Sequence, residues 1–522
     1  MFDLTHIIQT DFSNFQLVLI ICAFAFGLFS VIMFLKEKHG YSLLFLFLAG
    51  LILRLIAAGL DPFLWTWDEQ YHALVAKNMM SNPFRPVLIS NPVLDFDFRN
   101  WQANHIWLHK QPFFLWQIAL FFKIFGTTEF VLRLPGAIMM SLMIPVIYRI
   151  GKLTSTRVIA WYGAFLYTFT FFFVQITSGC ICTDQNDIAF IFYIALSIWA
   201  WAEYNQTNKK YWIVLIGAFA GIAILNKWVV GLLVYSGWWL SIFFCNKKSE
   251  WLAEHKKMGI SLLVTLLVAF PWQVFIFFAY PVESRYEFVY NSRHFFEAME
   301  GHGGNSYYHL NLLADQYGGI LVPFLIVPGL YLLFKSMQNK TNKVGMLTFL
   351  IGAYLFFSLA ATKMVMFCMI VCPVIFLGLG AVLDYCVQKL RAYIPSGISF
   401  VILAVLLGYL AFNNLNINKI DILHSEKNPF WKQLRVDAII DRQVSRELPS
   451  SDFVVFNCAG HNAVMWMFYS DATAYGNYPG PEQYRLLKSK GIKMATFIDQ
   501  NIPGYLKRDP EVRKIFLKPF SY

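Results

Sequence analysis

Residues 15–35 read FQLVLIICAFAFGLFSVIMFL, a run of apolar side chains that contains no charged residue. An α-helix needs about 20 predominantly apolar residues to cross the hydrocarbon core of a bilayer. The sequence therefore predicts a membrane-spanning helix here. Because no Lys or Arg precedes the run, it lacks the basic start of a cleavable signal peptide, and we interpret it as a retained span.

About twelve segments, including this one, have the length and hydropathy of a membrane span. The 522-residue chain is 57% hydrophobic and 14% charged, whereas a soluble domain carries about 25% charged residues. This composition predicts a polytopic α-helical membrane protein with about 12 transmembrane helices. The predicted spans cover, approximately, residues 15–35, 41–60, 133–150, 157–176, 187–203, 211–226, 228–245, 259–279, 317–335, 344–361, 365–383 and 396–413.

Lys and Arg residues are concentrated in every second connection between the predicted spans. The positive-inside rule assigns these connections to the cytoplasm, which leaves both termini and the other loops on the outer face. The same asymmetry accounts for the net charge of +11, so we expect no nucleic-acid partner. The basic connections contain Lys36 and Lys38; Arg149, Lys152 and Arg157; Lys209 and Lys210; Lys247, Lys248, Lys256 and Lys257; Lys335, Lys340 and Lys343; and Lys389 and Arg391.

Two connections on the predicted outer face, residues 61–132 and 280–316, are too long to be simple turns. The first contains apolar stretches at residues 101–107 and 112–125, which are typical of helices that lie in the membrane interface. The second is polar and contains the turn sequence GHGGNS. We expect the two loops to form the roof of a site at the outer ends of the spans.

The C-terminal part of the chain, residues 414–522, has the pattern of a soluble domain. An amphipathic helix is predicted at residues 431–448, and buried strands are predicted at 452–460 and 493–499. We therefore divide the chain into a transmembrane domain, residues 1–413, and a small extracytoplasmic α/β domain, residues 414–522. The eight cysteines show no paired spacing, so the sequence predicts no disulfide framework.

Three lysines, Lys110, Lys227 and Lys363, mark outer ends of predicted spans, against the trend of the positive-inside rule. A single lysine at such a position is as readily explained by snorkelling to lipid headgroups. Three at separate span ends favour a shared anionic ligand, and phosphate is the natural candidate.

Carboxylates gather on the same predicted face. Asp68 and Glu69 begin the first outer loop beside several aromatic residues, and Asp184 and Asp187 lie in the short sequence TDQND. We interpret Asp187, at the start of a span, as a helix cap. Asp68 is favoured as a functional residue, because an acid at the membrane edge costs free energy and usually has a functional role.

Metal binding is an alternative for this cluster. Asp68 and His72 are four residues apart, as are His105 and His109, so one helical face could present each pair to an ion. The sequence contains no H-E-x-x-H motif, however, and short spacings of this kind arise by chance. We assign no metal ligand, and no cofactor is firmly implied; a divalent metal remains open.

An ordered set of motifs resembles the GT-C glycosyltransferases of the protein O-mannosyltransferase and aminoarabinose (lipid A) transferase group. The set runs in the family's order across about residues 41–384. It departs from the family pattern in having K-Q-P for K-P-P, Gln70 for an Arg, no Pro or Tyr after Lys363, and an additional first span. The matching pieces are WDEQYHALVAKNM (67–79), HKQPFFLWQIALFFKIFGTTEFVLRLPGA (109–137), CTDQNDIAF (182–190), GIAILNKWVVGLL (221–233), FPWQVF (270–275) and ATKMVMFCMIVCP (361–373).

The resemblance implies a GT-C fold and transfer of a sugar from a polyprenyl-phosphate donor to a protein, lipid A or other glycan, with inversion. It implies that this happens at the outer face of a bacterial cytoplasmic membrane. Lys110, Lys227 and Lys363 would stabilise charge on the leaving phosphate, Asp68 would be the general base, and Glu69 and Asp184 would orient the sugar or acceptor. If the acceptor is itself a phosphate, no base is needed, and Asp68 would instead oppose oxocarbenium charge. Further candidates for substrate binding are Tyr71, His72, His109, Arg133 and His302.

Two other classes of protein are compatible with this many spans. A secondary transporter or lipid flippase is expected to have charged or broken helices at the middle of the membrane and two related halves. The predicted spans are instead mostly uncharged, and the polar residues concentrate on one face. A receptor-like or structural protein leaves Asp68, Glu69 and the outer lysines unexplained. The pattern therefore favours an enzyme that acts at the outer interface.

Overall fold

The computed structural model describes residues 10–181, 184–448, 453–458 and 462–516 of the chain. Within these residues, nine helices are long and apolar enough to cross a membrane, and two shorter apolar helices accompany them. The prediction of a polytopic α-helical membrane protein is confirmed. Cys182, in one of the family motifs, lies outside the described residues.

Every predicted span coincides with helical structure in the described part of the chain. Four of them are interrupted: one at Thr170, one by the turn at residues 318–321, and two that include short 3₁₀ segments, Trp228–Leu233 and Phe367–Val371. The helices of this region are α1 (Asn14–Leu35), α2 (His39–Ala58), α3 (Asp68–Met79), α4 (Phe113–Phe125), α5 (Glu129–Thr154), α6 (Arg157–Phe169), α7 (Phe171–Gln175), α8 (Gln185–Thr207), α9 (Lys210–Lys227), α10 (Val234–Cys245), α11 (Trp251–Ala279), α12 (Pro281–Arg293), α13 (Tyr308–Asn311), α14 (Leu313–Tyr317), α15 (Val322–Ser336), α16 (Lys340–Leu359), α17 (Cys372–Tyr393) and α18 (Ser396–Leu415).

Glycines allow some of these helices to pack backbone against backbone. A Cβ atom at Gly163 in α6 would lie 2.9 Å from the carbonyl oxygen of Phe376 in α17, and one at Gly237 in α10 would lie 2.2 Å from that of Gly345 in α16. Lipid supplies no hydrophobic driving force between helices, so close approach at small residues is a main source of their association.

The long connection at residues 61–132, predicted to be an outer loop, is only partly helical. The predicted helix at 112–125 is confirmed as α4, but the prediction at 101–107 is wrong: these residues form turns and part of an isolated bridge between Val87 and Ile106. Trp101 stacks on His109 and Trp107 is fully buried, so the apolar side chains of this stretch are used inside the protein. The helix α3 was not predicted as an element, because its polar residues lie on opposite faces and most of its residues are buried, so it shows no amphipathic pattern.

The C-terminal region is an α/β unit, as predicted. Its parallel sheet has the strand order β2-β1-β3-β4. The predicted amphipathic helix corresponds to α20, and the two predicted strands to β1 and β3; Asp452 and residues 459–460 of the first lie outside the described residues. The elements are α19 (Ile417–Leu423), α20 (Pro429–Glu447), β1 (Phe453–Phe456), α21 (Asn462–Tyr469), β2 (Thr473–Ala474), α22 (Pro481–Ser489), β3 (Lys493–Phe497), α23 (Gly504–Arg508) and β4 (Arg513–Ile515).

Candidate active site

Two carboxylates and a lysine from three separate segments meet at the helix ends that were predicted to face outward. Asp68 is the first residue of α3, and Asp184 directly precedes α8. The Lys110 Nζ atom lies 3.3 Å from Asp68 Oδ1 and 3.5 Å from Asp184 Oδ1. One ammonium group therefore neutralises two carboxylates that stand close together.

The two carboxylates differ in how they ionise. Burial raises the pKa of Asp68 to about 7, and the neighbouring Asp184 adds to this effect, while Lys110 and His109 oppose it. Burial alone would also raise the pKa of Asp184, but Lys110, followed by His72 and Lys227, holds it well below its usual range. Asp184 is thus a fixed negative charge, and Asp68 exchanges a proton near neutral pH.

Glu69 and Arg133 form a buried ion pair next to this cluster. The Arg133 guanidinium donates from Nε to Glu69 Oε1 at 2.8 Å and from Nη2 to Oε2 at 2.9 Å. The backbone N–H of Trp65 donates to Oε2 at 2.7 Å, and Gln185 Nε2 donates to Oε1 at 3.1 Å. Both oxygens of Glu69 are therefore occupied by donors from the protein.

This pair also fixes the tautomer of His72. Because the amide nitrogen of Gln185 donates to Glu69, its Oε1 accepts, and it lies 2.6 Å from His72 Nδ1. His72 must then carry its proton on Nδ1 and present a lone pair at Nε2. Burial lowers the pKa of His72 to about 3, so the ring is neutral. Its Nε2 lies 4.0 Å from Asp68 Oδ1.

Asp68, His72 and Asp184 could also serve as metal ligands, because one ligating atom from each lies within 4.8 Å of the others. An unprotonated imidazole nitrogen and two carboxylates are a suitable donor set for a divalent cation. The Lys110 ammonium group contacts the same two carboxylates. The negative charge of Asp68 and Asp184 can therefore be balanced either by Lys110 or by a divalent cation.

Lys227, the second predicted phosphate ligand, ends α9 and lies 4.4 Å above the ring of Phe367. It pairs with Asp187. The prediction of Asp187 as the helix cap is wrong, because Asp187 lies in the first turn of α8 and Asp184 holds the N-cap position. Lys110, Asp184 and Lys227 form the charged end of a cavity of about 410 Å³. Its remaining wall is largely apolar and includes Trp228, Val229, Phe356, Phe357 and Met364.

Lys363 does not join the other two lysines. Its ammonium group donates to the carbonyl oxygens of Phe357 at 3.1 Å, Ser358 at 2.8 Å and Ala360, at the C-terminal end of α16. To bind a phosphate it would have to leave these carbonyls, and its predicted role stays a prediction. The side chain of His302 is exposed, and its backbone carbonyl accepts from the N–H of Lys363 at 2.8 Å.

His109, the residue before Lys110, and Tyr71 belong to a group that includes two glutamates. His109 Nδ1 lies 3.4 Å from Glu287 Oε2, and His109 Nε2 lies 3.7 Å from Glu300 Oε1. Trp101 stacks on the His109 ring at 4.6 Å, and Tyr71 meets Trp101 edge-on at 4.8 Å. Glu287 and Gln185 had not been selected from the sequence; only their closeness to chosen residues could have drawn attention to them.

Three non-glycine residues beside the site adopt a left-handed backbone conformation. Trp67 (φ 67°) precedes Asp68, Trp228 (φ 57°) follows Lys227, and Glu300 (φ 55°) faces His109. Bulky residues rarely adopt such angles, and the strain persists only where the surroundings enforce it. Such outliers cluster at functional sites, which supports the location of this one.

Comparison with known proteins gives a family match over part of the chain. Residues 109–275 match the family model of dolichyl-phosphate-mannose-protein mannosyltransferases. This segment contains Lys110, Asp184 and Lys227. An uncharacterized protein of Aquifex aeolicus (strain VF5) is 27% identical over 177 residues, which is 33% of this chain and 32% of that protein.

Solved structures match over most of the chain. ArnT from Cupriavidus metallidurans bound to undecaprenyl phosphate has a TM-score of 0.59 at 14% identity, over 85% of this chain and 87% of ArnT. The apo form of the same protein has a TM-score of 0.60 at 15% identity, over 87% of this chain and 89% of ArnT. The oligosaccharyltransferase AglB from Archaeoglobus fulgidus, in complex with an inhibitory peptide and a dolichol-phosphate, gives 0.52 at 13% identity, over 85% of this chain and 65% of AglB. The predicted resemblance is confirmed at the level of the fold.

Proposed function

Because the chain has the fold of the GT-C glycosyltransferases, we propose that it transfers a sugar from a polyprenyl-phosphate donor to an acceptor. The reaction takes place at the outer face of a bacterial cytoplasmic membrane, and residues 1–413 form the catalytic domain. The observation that carries the proposal is the cavity whose charged end holds Lys110, Asp184 and Lys227 and whose wall is apolar. A lipid-linked phosphate likewise combines a charged phosphate group with an apolar chain. ArnT was solved with undecaprenyl phosphate and AglB with a dolichol-phosphate.

The proposed chemistry is a single displacement with inversion. The acceptor oxygen attacks the anomeric carbon on the face opposite the phosphate, its proton passes to Asp68, and the bond to the phosphate oxygen breaks. Polyprenyl phosphate leaves with the bonding electrons, and Lys110 and Lys227 stabilise its charge. Asp184 stays ionised and holds Lys110 in place, whereas Glu69 and Arg133 position α3 without touching substrate.

The pH dependence of transfer tests the role of Asp68. A base acts only when it is deprotonated, so transfer to a hydroxyl acceptor is expected at full rate above the Asp68 pKa of about 7. Below it, kcat/KM should fall about tenfold for each pH unit. The measurement is kcat/KM between pH 5.5 and 8.5. A flat profile would contradict the role as a base and favour a phosphate acceptor, which needs none.

Replacement of Lys110 by Met should weaken binding of the donor more than binding of the acceptor, because the lost charge faces the donor phosphate. We expect the donor KM to rise about tenfold or more, since a charge-assisted hydrogen bond contributes about 1.5–3 kcal/mol. The acceptor KM should change little. Lys123→Met, an exposed lysine of α4, is the matched control. An equal rise in the KM for donor and acceptor would mean that Lys110 has only a structural role.

Two experiments test the function as a whole. Purified protein in lipid vesicles is given a synthetic polyprenyl-phosphate sugar, and release of polyprenyl phosphate is measured with candidate acceptors. Mass spectrometry of surface glycans and lipid A from a deletion strain identifies the acceptor, because one molecule should lose one sugar. Movement of the donor across the vesicle membrane without cleavage would instead identify a flippase.

A further inference from the structure

A lysine at the end of α3 joins this helix to the C-terminal α/β domain. Lys77 Nζ donates to the carbonyl oxygens of Met467 at 3.0 Å, Phe468 at 2.9 Å and Ser470 at 2.8 Å, at the C-terminal end of α21. The last carbonyls of a helix have no partner within the helix and carry its negative dipole end. The three carbonyls use all three donors of the ammonium group, and the Asp471 carboxylate lies 3.5 Å from Nζ. The Lys77 side chain is only 18% exposed.

The contact lies on the side of α3 opposite the candidate active site. Successive residues of an α-helix are about 100° apart, so Gln70 and Lys77 share one face, and Asp68 and His72 lie on the other. Gln70 is buried, and its amide contacts the sulfur of Met465 in α21 at 3.9 Å. Thus one face of α3 contacts the C-terminal domain, and the opposite face carries Asp68 and His72 at the candidate site.

Further contacts attach the same domain just before α3 and at the start of α5. Tyr469, the last residue of α21, donates to Glu129 Oε1 at 2.5 Å, and Arg442 also binds Glu129 and the carbonyl of Pro62. Glu129 is one helical turn before Arg133, which holds Glu69. Asp61 accepts hydrogen bonds from Trp65 at 2.7 Å and from Trp431 in α20 at 2.6 Å.

We propose that the C-terminal α/β domain is a clamp that positions α3, and with it Asp68, and that Lys77 is its principal positioning residue. The proposal rests on the proposed function, since it takes Asp68 to be the reacting base. In this arrangement the domain acts on catalysis from behind α3, without contact with the substrate.

The test compares full-length Lys77→Met with wild type. We expect kcat to fall about 10- to 100-fold, the cost of a displacement of the order of 1 Å in an active site, with the donor KM within about twofold. Lys77→Arg, which can still donate to the carbonyls, should recover most of the rate. The acid limb of the pH profile should move to lower pH, because Asp68 leaves Asp184 and its buried site. Amide hydrogen exchange in α3 should accelerate while exchange in α8 does not.

Two control substitutions accompany it. Lys488→Met removes a lysine that pairs with Asp509 within the same domain, and neither kcat nor exchange in α3 should change. Tyr469→Phe removes one hydroxyl contact and should reproduce the Lys77→Met effects more weakly, even if Lys77→Met fails to fold.

The outcomes separate the clamp from the proposed function. If Lys77→Met speeds exchange in α3 but leaves kcat and the pH profile unchanged, the clamp is overturned and the function stands. Unchanged exchange in α3 also overturns it. If wild type transfers no sugar from any polyprenyl-phosphate donor, the function fails, and hydrogen exchange alone decides whether the domain holds α3.

Discussion

Replacing Asp68 by Asn is expected to lower kcat for sugar transfer about 10²–10⁴-fold, the usual contribution of general acid–base catalysis. The amide has nearly the shape of the carboxylate but cannot accept a proton from the acceptor hydroxyl. Lys110 keeps its contact with Asp184, so the donor phosphate should still bind. The measurement is kcat with a synthetic polyprenyl-phosphate sugar, together with the donor dissociation constant.

Asp95→Asn is the matched control, because Asp95 is an exposed carboxylate in the same connection between α2 and α5. Its loss should leave kcat unchanged. The Asp68→Asn variant should also lose the acid limb near pH 7 in any residual activity. Near-normal transfer by this variant would show that Asp68 is not the base. A large loss of donor binding with an unchanged kcat would instead make Asp68 a residue that holds Lys110.

The spans could be predicted from the sequence because few backbone conformations are stable in lipid. A backbone in hydrocarbon must satisfy its own hydrogen bonds, so long apolar runs become helices almost regardless of their neighbours. The long connections between the spans are not constrained in this way. Residues 101–107 have the composition of an interfacial helix, but Trp101 and Trp107 are used to pack against His109 and His72. Only the tertiary structure decides between these uses of an aromatic residue.

The candidate site was partly predictable for a similar reason. Charge at the ends of apolar helices is costly, so Asp68, Lys110 and Lys227 stood out by their position in the sequence alone. The same rule selected Lys363, although it binds the carbonyls at the end of α16. Sequence position does not separate a lysine that caps a helix from one that faces a cavity. Gln185 is uncharged and gave no signal, yet it sets the tautomer of His72.

The second large effect is expected from Glu69→Ala, through stability. Glu69 and Arg133 have side chains that are 0% and 1% exposed, and removing the acid leaves a buried guanidinium without its partner. Breaking a buried pair in this way costs about 3–5 kcal/mol. We expect a marked drop in the thermal unfolding temperature of the protein in detergent, with loss of transfer, since Arg133 also binds the carbonyls of Asp61 and Phe63 that lead into α3.

A double variant shows whether the missing partner is the cause. In Glu69→Gln with Arg133→Met, neither buried charge remains, and replacing both members of a buried pair is often close to neutral. Its unfolding temperature should lie nearer to wild type than that of Glu69→Ala. Glu297→Ala removes the acid of an exposed pair with Arg293 and should change the unfolding temperature little. If Glu69→Ala unfolds at the wild-type temperature, Arg133 does not depend on Glu69 in solution, and the hydrogen bonds that fix His72 through Gln185 cannot be as described.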